Sequence, residues 1–117
     1  MYSANSAKEK LLSGAFDKTF SKLYSDKEAV LKSQAQRYIE SVDEFVNLFK
    51  TTEGISFFSA PGRTEVGGNH TDHQHGCVLA ASVNLDVIAV VAKNNDNVIR
   101  IKSKGYNMDT IDINDLD

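Results

Sequence analysis

Cysteine and long apolar runs are scarce in this sequence. Cys77 is the only cysteine, so no disulfide can form within the chain, and this is typical of a reducing compartment. No apolar run approaches the roughly 20 residues that a membrane-spanning helix requires. The first ten residues also lack the apolar core of a signal peptide. These absences predict a cytoplasmic protein with no membrane partner.

Charge of one sign is not concentrated anywhere in the chain. The net charge is −3, and no block of basic residues is present, which argues against binding to nucleic acid. Hydrophobic residues make up 41% of the 117 residues and charged residues 25%, an ordinary composition for one soluble domain. The chain is long enough for one modest hydrophobic core.

The residues that are scarce elsewhere gather in the stretch 59–76, which reads SAPGRTEVGGNHTDHQHG. It holds the single proline, four of the seven glycines and all three histidines. Apolar segments precede and follow it. A polar, glycine-rich loop between two buried segments is a common place for binding and catalytic groups. We therefore predict a loop over this stretch and expect the functional site there.

This stretch resembles the sugar-binding signature of the GHMP small-molecule kinases, in particular of their galactokinase group. The spacing agrees without a gap from Pro61 to Leu79. The resemblance is specific for residues 57–86 and only compatible with the rest. The matching residues are Pro61, Gly62, Arg63, Gly68, His70, Asp72, Gly76, Val78 and Leu79.

The resemblance implies a kinase that uses ATP and Mg²⁺ to phosphorylate galactose at its anomeric hydroxyl. It also implies an α+β fold like the N-terminal half of a GHMP kinase (ribosomal protein S5 domain 2-like). The phosphate-binding loop of these kinases lies downstream of the sugar motif, yet only Gly105 and no serine cluster follow Gly76. The chain should thus be an inactive N-terminal portion, with ATP and Mg²⁺ bound mainly by residues that it lacks.

Arg63 is the residue that the resemblance assigns to catalysis. Phosphoryl transfer requires an oriented acceptor and a cation near the migrating charge, and Arg63 would supply that cation beside the anomeric hydroxyl. The structural alternative is a salt bridge from Arg63 to Glu65 or Asp72.

The sugar-binding candidates follow Arg63 closely. A carboxylate such as Asp72 can accept hydrogen bonds from two neighbouring hydroxyls, although a Thr-Asp pair also occurs at helix starts and turns. By resemblance, Asp72 would hold the hydroxyls at C3 and C4, and His70 would contact the sugar near C6 or position the loop. Glu65 and His73 are further candidates without an assigned role.

Asn69 departs from the family pattern, which has Glu at the position that binds the C6 hydroxyl. An amide carries no charge and would tolerate a C6 carboxylate better than Glu could. A kinase for galacturonate or another C6-modified sugar is therefore an alternative. A non-catalytic sugar sensor is a second one.

Two other chemistries are weaker readings of the same stretch. His70, Asp72, His73 and His75 could supply zinc ligands, but no histidine or cysteine follows Cys77, so we predict no metal site. Cys77 could act as a nucleophile, but its apolar neighbours predict a buried, inert thiol.

The first half of the chain has helical patterning. Residues 1–7 are small and polar and are predicted to fray, while apolar residues around Gly14 predict one or two short helices. The sequence Ser25-Asp-Lys-Glu28 has the form of a capping box and predicts the next helix start, and Ser41-Val-Asp-Glu44 could break that helix in two. An apolar stripe should pack this helix on the sheet: Leu31, Ala35, Tyr38, Val42, Phe45 and Phe49.

The second half has strand patterning, which predicts a mixed or antiparallel sheet of about three to five strands. Because an exposed sheet edge would remain, self-association of the chain is expected. The predicted organisation of residues 1–117 is a helical part (8–50), a strand with the motif loop (55–82) and a hairpin sheet (83–113). The predicted strands are Ile55–Ala60, a central strand Val83–Ala92, its hairpin partner Val98–Lys102 after a turn at Asn94–Asn97, and an edge strand Met108–Ile113.

Overall fold

Three helices precede four antiparallel strands in the computed structural model, which describes residues 1–68 and 76–115. This order confirms the predicted α+β class. None of the helices within the described ranges has the length and apolar content needed to cross a membrane. The elements are α1 (Ala4–Leu12), α2 (Asp17–Leu23), α3 (Glu28–Phe49), β1 (Ser56–Gly67), β2 (Leu79–Val91), β3 (Val98–Lys102) and β4 (Met108–Asp112).

The N-terminus is anchored, so the prediction that residues 1–7 fray is wrong. Tyr2 and Ile55 exchange two backbone hydrogen bonds of 2.8 Å each. The Ser3 hydroxyl caps α1 by accepting from the Ser6 amide at 3.2 Å. Ala4 is buried with Ile55 because its small side chain lets α1 approach the sheet closely. The two short helices predicted around Gly14 are confirmed as α1 and α2.

Helix α3 is one unbroken helix of 22 residues. It begins at Glu28 after Lys27, and the predicted capping box is wrong because the Ser25 hydroxyl accepts from the Lys27 amide instead, at 3.2 Å. The predicted break at Ser41 is also wrong. The Ser41 hydroxyl donates to the Arg37 carbonyl at 2.9 Å, one turn back in the same helix, and leaves the helical backbone intact.

The apolar stripe of α3 packs as predicted. Tyr38 and Val42 are buried, and Phe57 of β1 contacts both core clusters from the sheet side. The Tyr38 and Phe57 rings meet edge to face, with centroids 5.4 Å apart. The buried members of the first cluster are Ala4, Val42 and Ile55, and those of the second are Leu11, Phe20 and Tyr38.

Strands β1 and β2 form an antiparallel pair with one covered face. Directly opposed residues share a face, so Phe57 lies beside Val90 against the helices. Phe58 (60% exposed) and Val87 (75% exposed) lie on the opposite face. We call this opposite face the outer face: Phe58, Ala60, Val87, Ala89 and Val91.

Strand β3 pairs with β4 and not with β2, so the predicted β2–β3 hairpin is wrong. A tight turn after Lys102 favours the local partner, since the Tyr106 amide donates to the Ser103 carbonyl at 3.1 Å. The result is two separate two-stranded sheets. Among the described residues β2 pairs only with β1, so its predicted central position is wrong as well.

Candidate functional site

The predicted loop over residues 59–76 is a strand in its first half. Ser59 to Gly67 belong to β1. Within the described residues β1 is an edge strand, and an edge strand tolerates Pro61 because the missing N–H is not needed on the open side. Arg63 and Glu65 lie on β1 opposite Ser82 and Ala80. The other four candidates, Asn69, His70, Asp72 and His73, lie outside the described residues, as does His75.

A bulge in β2 determines where Arg63 is placed. Pro61 faces Asp86 and Arg63 faces Ser82, so Gly62 alone spans the stretch opposite residues 83–85. A Cβ atom at Gly62 would lie 3.2 Å from both the Leu85 carbonyl oxygen and the Val83 Cγ2 atom. Any larger residue at position 62 would therefore be in tight contact with β2, and the bulge lies directly over the residue that precedes Arg63.

The ends of the segment 69–75 are held side by side. Gly67 pairs with Leu79, and Gly68 has a φ of 94°. A Cβ atom at Gly68 would lie 2.4 Å from the Cys77 carbonyl oxygen, a distance that no side chain tolerates. We call this close contact of Gly67 and Gly68 with Cys77 and Leu79 the neck. The motif glycine at position 68 thus has a steric reason.

Arg63 has an exposed side chain without an ionic partner in residues 1–68 and 76–115. The ion pairs of this part of the chain involve Lys8, Lys32, Arg37 and Arg100. The alternative salt bridge to Glu65 is not formed, although strand alternation places both residues on one face. Arg63 lies four residues before Gly67, so its backbone is about 13 Å along the strand from the neck. Its accessible charge could meet an anionic group there.

A buried carboxylate next to the motif was missed by the sequence reasoning. The Asp86 side chain is only 4% exposed and lies between the sheet and the helices. It accepts hydrogen bonds from the hydroxyls of Tyr24 and Ser59, each at 2.5 Å, and from the Arg37 guanidinium at 2.6 Å. Arg37 also donates to the Asp86 main-chain carbonyl at 2.8 Å. An acid inside a strand rich in Val and Ile was the available signal, because a buried carboxylate requires donors.

The protonation states of this cluster follow from its geometry. Burial alone would raise the pKa of Asp86, but the hydrogen bonds from Ser59, Tyr24 and Arg37 outweigh it and lower the pKa. Burial and the hydrogen bond to Asp86 raise the pKa of Tyr24 well above its ordinary value. The hydrogen bond to Asp86 raises the pKa of Arg37. Asp86 is therefore anionic, Arg37 cationic and Tyr24 a neutral donor at neutral pH.

Two cavities adjoin the cluster. The smaller, of about 60 Å³, is bounded by Tyr24, Ser59, Pro61 and Asp86 together with the bulge residues Val83 and Asn84. The larger, of about 200 Å³, is mainly apolar and lies between the helices and β1, bounded by Leu11, Phe16, Phe20, Tyr38 and Phe57 among others. Ser59 borders both cavities, so the cluster lies between the apolar core and the start of the motif.

The remaining chemical groups near the neck are few. The Cys77 thiol is exposed, so the prediction that it is buried is wrong: its apolar neighbours Val78 and Leu79 are themselves 60% and 64% exposed. Within the described ranges no three His, Cys, Asp or Glu side chains gather in a way that could hold a metal ion.

Comparison with known proteins defines the segment that contains this site. Residues 43–93 match a family model, and the matched range runs from the end of α3 through β1 and β2. The model describes a sugar-binding signature of a kinase class. It is the galactokinase galactose-binding signature, and residues 43–93 of the chain match it.

The curated proteins that the chain resembles are named galactokinase. The chain is 37% identical over 62 residues to a galactokinase of Bacillus subtilis, a match that covers 53% of this chain and 16% of the relative. It is 31% identical over 74 residues to a galactokinase of Fusobacterium nucleatum, covering 62% and 19%. A galactokinase of Dictyostelium discoideum is 30% identical over 86 residues, covering 70% and 17%. The matches span less than a fifth of each relative, and no solved structure matches the chain significantly.

Proposed function

We propose that this chain is the N-terminal, sugar-binding portion of a cytoplasmic galactose kinase. The kinase transfers the γ-phosphoryl group of ATP to the anomeric hydroxyl of galactose. One observation carries the proposal: the galactose-binding signature covers the neck and the bulged pair of strands β1 and β2, and Arg63 and Glu65 lie on β1. The chain alone binds sugar but does not catalyse turnover.

The reaction needs an oriented acceptor and a cation. The anomeric oxygen forms a bond to the γ-phosphorus, the bond from this phosphorus to the β–γ bridging oxygen breaks, and the hydroxyl proton leaves to a base or to water. In this proposal the exposed Arg63 guanidinium stabilises the charge that develops on the phosphoryl oxygens. Asp72 and His70 bind the sugar ring. Glu65 and His73 are near these two residues in the sequence and are further candidates for contact with the sugar.

The described residues do not fit a magnesium ion or a nucleotide. They offer no carboxylate cluster for Mg²⁺ and no glycine- and serine-rich loop for phosphates. We therefore assign the binding of ATP and Mg²⁺ mainly to parts of the kinase other than these residues, and no step described for these residues involves ATP-bound Mg²⁺.

One residue favours a second substrate. Asn69 stands where the family pattern has a C6-binding Glu, and a neutral amide does not repel a carboxylate at C6. Galacturonate, or another sugar modified at C6, is therefore the competing substrate for the same site and the same chemistry.

The test is a titration of the chain with galactose, galacturonate and glucose by calorimetry, followed by sugar-dependent ADP release from the whole kinase. We expect galactose to bind and glucose not to bind. Asp72→Ala should weaken galactose binding by about 1.5–3 kcal/mol, the value of a hydrogen bond to a charged group. Asp26→Ala, which removes an exposed carboxylate elsewhere, is the matched control and should bind as the wild type does.

The outcomes separate the two substrates and the non-catalytic sensor. If Asn69→Glu leaves the ratio of galactose to galacturonate turnover unchanged, Asn69 does not set C6 selectivity. Preference of the wild type for galacturonate would reassign the substrate and keep the chemistry. Sugar binding without ADP release by the whole protein would identify a sensor, and the absence of any sugar binding would refute the proposal.

A further inference from the structure

We propose that Asp86 and Arg37 are positioning residues for the sugar-binding motif. They fix the backbone of β1 at the bulge that directly precedes Arg63. The inference rests on the proposed function, because it concerns the same site. Asp86 follows the polar stretch 59–76 and is the last residue of the segment 57–86 that resembles the family, whereas Arg37 precedes the matched range 43–93 altogether.

The position of Asp86 in the sheet is the first reason. Asp86 faces Pro61, and this is the last regular pair before the bulge that Gly62 spans. On the other side of the bulge the pairing resumes with Arg63. Any shift of Asp86 along or across the sheet would therefore be passed to the strand segment that holds Arg63.

The hydrogen bonds to Asp86 come from three separate elements. Ser59 belongs to β1 itself, Tyr24 follows α2, and Arg37 lies on α3. Arg37 contacts both the carboxylate and the main-chain carbonyl, so it holds the strand backbone as well as the side chain. The bulged segment is thereby tied to the helical layer at its first residue.

The contact between the bulge and Gly62 completes the link. The carbonyl of Leu85, the neighbour of Asp86, lies so close to Gly62 that a Cβ atom there would be 3.2 Å away. The backbones of the two strands therefore approach each other closely at Gly62. The order of contacts is Arg37 to Asp86, then Leu85 against Gly62, and then Arg63.

Stability alone explains this arrangement poorly. A carboxylate that is 4% exposed loses its hydration, and a buried ion pair is often no more stabilising than apolar side chains of the same volume. What an ion pair with several directional hydrogen bonds provides is one defined geometry. That is the requirement of a site whose cation must meet a migrating charge.

The experiment compares variants of the chain by galactose titration and by NMR. Asp86→Asn should raise the galactose Kd about tenfold, because the strand that leads into the sugar-binding motif would no longer be held in one position. It should also shift the Nε–H resonance of Arg63, one of only three arginines, in the sugar-free chain. Val42→Ala is the control. Val42 is fully buried in the other core cluster, so the substitution should lower stability without removing a contact of Asp86. It should leave both the Kd and the Arg63 resonance as in the wild type.

Each outcome decides the matter. A wild-type Kd in folded Asp86→Asn would overturn the positioning role, as would equal weakening in Val42→Ala. If Asp86→Asn fails to fold, Ser59→Ala and Arg37→Lys replace it. Each removes contacts of the network and should raise the Kd, with Arg37→Lys milder than Arg37→Gln, and unchanged values refute the proposal. Failure of the wild type to bind galactose is seen before any variant is made and refutes the proposed function, and the inference with it.

Discussion

Gly68 illustrates how much a single residue in the motif can be understood from sequence. The register of the motif identifies it as a matching position, but the register does not say why glycine is needed. The structure supplies two reasons, a φ of 94° and the Cys77 carbonyl oxygen only 2.4 Å from where a Cβ atom would be. Both depend on how the two strands meet, which no local pattern contains.

Gly68→Ala should destabilise the chain and abolish sugar binding. The positive φ alone costs about 1–2 kcal/mol for a residue with a Cβ atom, and the clash adds to this cost. We expect urea unfolding to show a total loss above 2 kcal/mol, roughly.

Gly105→Ala is the matched control for the steric part. Gly105 has a similar φ of 85°, but nothing lies within 4 Å of its Cβ position. It should show the backbone cost only and bind sugar normally. Equal losses in the two variants would mean that the close contact at the neck has no energetic consequence.

The contacts of Tyr24 and Arg37 with Asp86 could not be predicted from the sequence, for a different reason. Tyr24 and Arg37 lie 62 and 49 positions from Asp86 along the chain. Periodicity and motif spacing describe neighbours within a helix or a strand, so they cannot join residues this far apart. Arg63 and Glu65 could be proposed from the sequence because they belong to one continuous motif.

At the scale of elements, the ion pair of Arg37 and Asp86 connects α3 with β2. We expect it to make the free energy of unfolding depend on pH in the acidic range. The pKa of Asp86 in the folded chain lies below its ordinary value of 3.8, so the folded state binds this proton more weakly than the unfolded state does. The stabilisation is complete above the ordinary pKa and is lost as the pH falls through the folded-state pKa.

Asp86→Asn tests this ion pair through urea unfolding at about pH 7 and in steps down to about pH 3. We expect the variant to lose about 2 kcal/mol at neutral pH and to show a shallower loss on acidification below about pH 4. Tyr24 and Arg37, which face Asp86, stay protonated throughout this range because their pKa values are raised.

Asp43→Asn is the control for the acid series. It removes the carboxylate of an exposed pair with Lys8, and exposed pairs contribute about 0–1 kcal/mol. Its pH profile should follow the wild type. Parallel profiles for all three proteins would show that Asp86 carries no acid-dependent stability.

The elements themselves were predicted unevenly. The long helix was recognised because its apolar stripe records which face is buried. Its start was misplaced because a Ser-x-x-Glu pattern does not determine which amide the hydroxyl will meet. The predicted partner of β3 was wrong because two turn sequences flank this strand, and strand patterning alone does not say which of them forms the hairpin.

At the scale of the whole molecule, the outer face distinguishes the two sides of the β1–β2 sheet. From Val87 onward the sequence of β2 is apolar on both faces, which predicted a central strand. The structure covers only the side that meets the helices. An apolar surface of this kind favours association.

Val87→Lys should therefore reduce self-association of the chain. We expect the wild type to sediment with a concentration-dependent average mass and the variant to remain monomeric, because a charge on the outer face opposes its burial. Leu12→Lys is the matched control, since Leu12 is equally exposed at 75% but lies on α1. A monomeric wild type, or an equal effect of both lysines, would exclude the outer face as the contact.

The neck has a consequence for how such a site can change over time. The seven positions 69–75 begin and end at two points that β1 and β2 already hold together. A different sequence in those positions would inherit the same anchorage, and small changes in its length would add little closure entropy. Under the proposed function, substrate preference can therefore change through substitutions in this short segment, while the strands on either side of it stay the same.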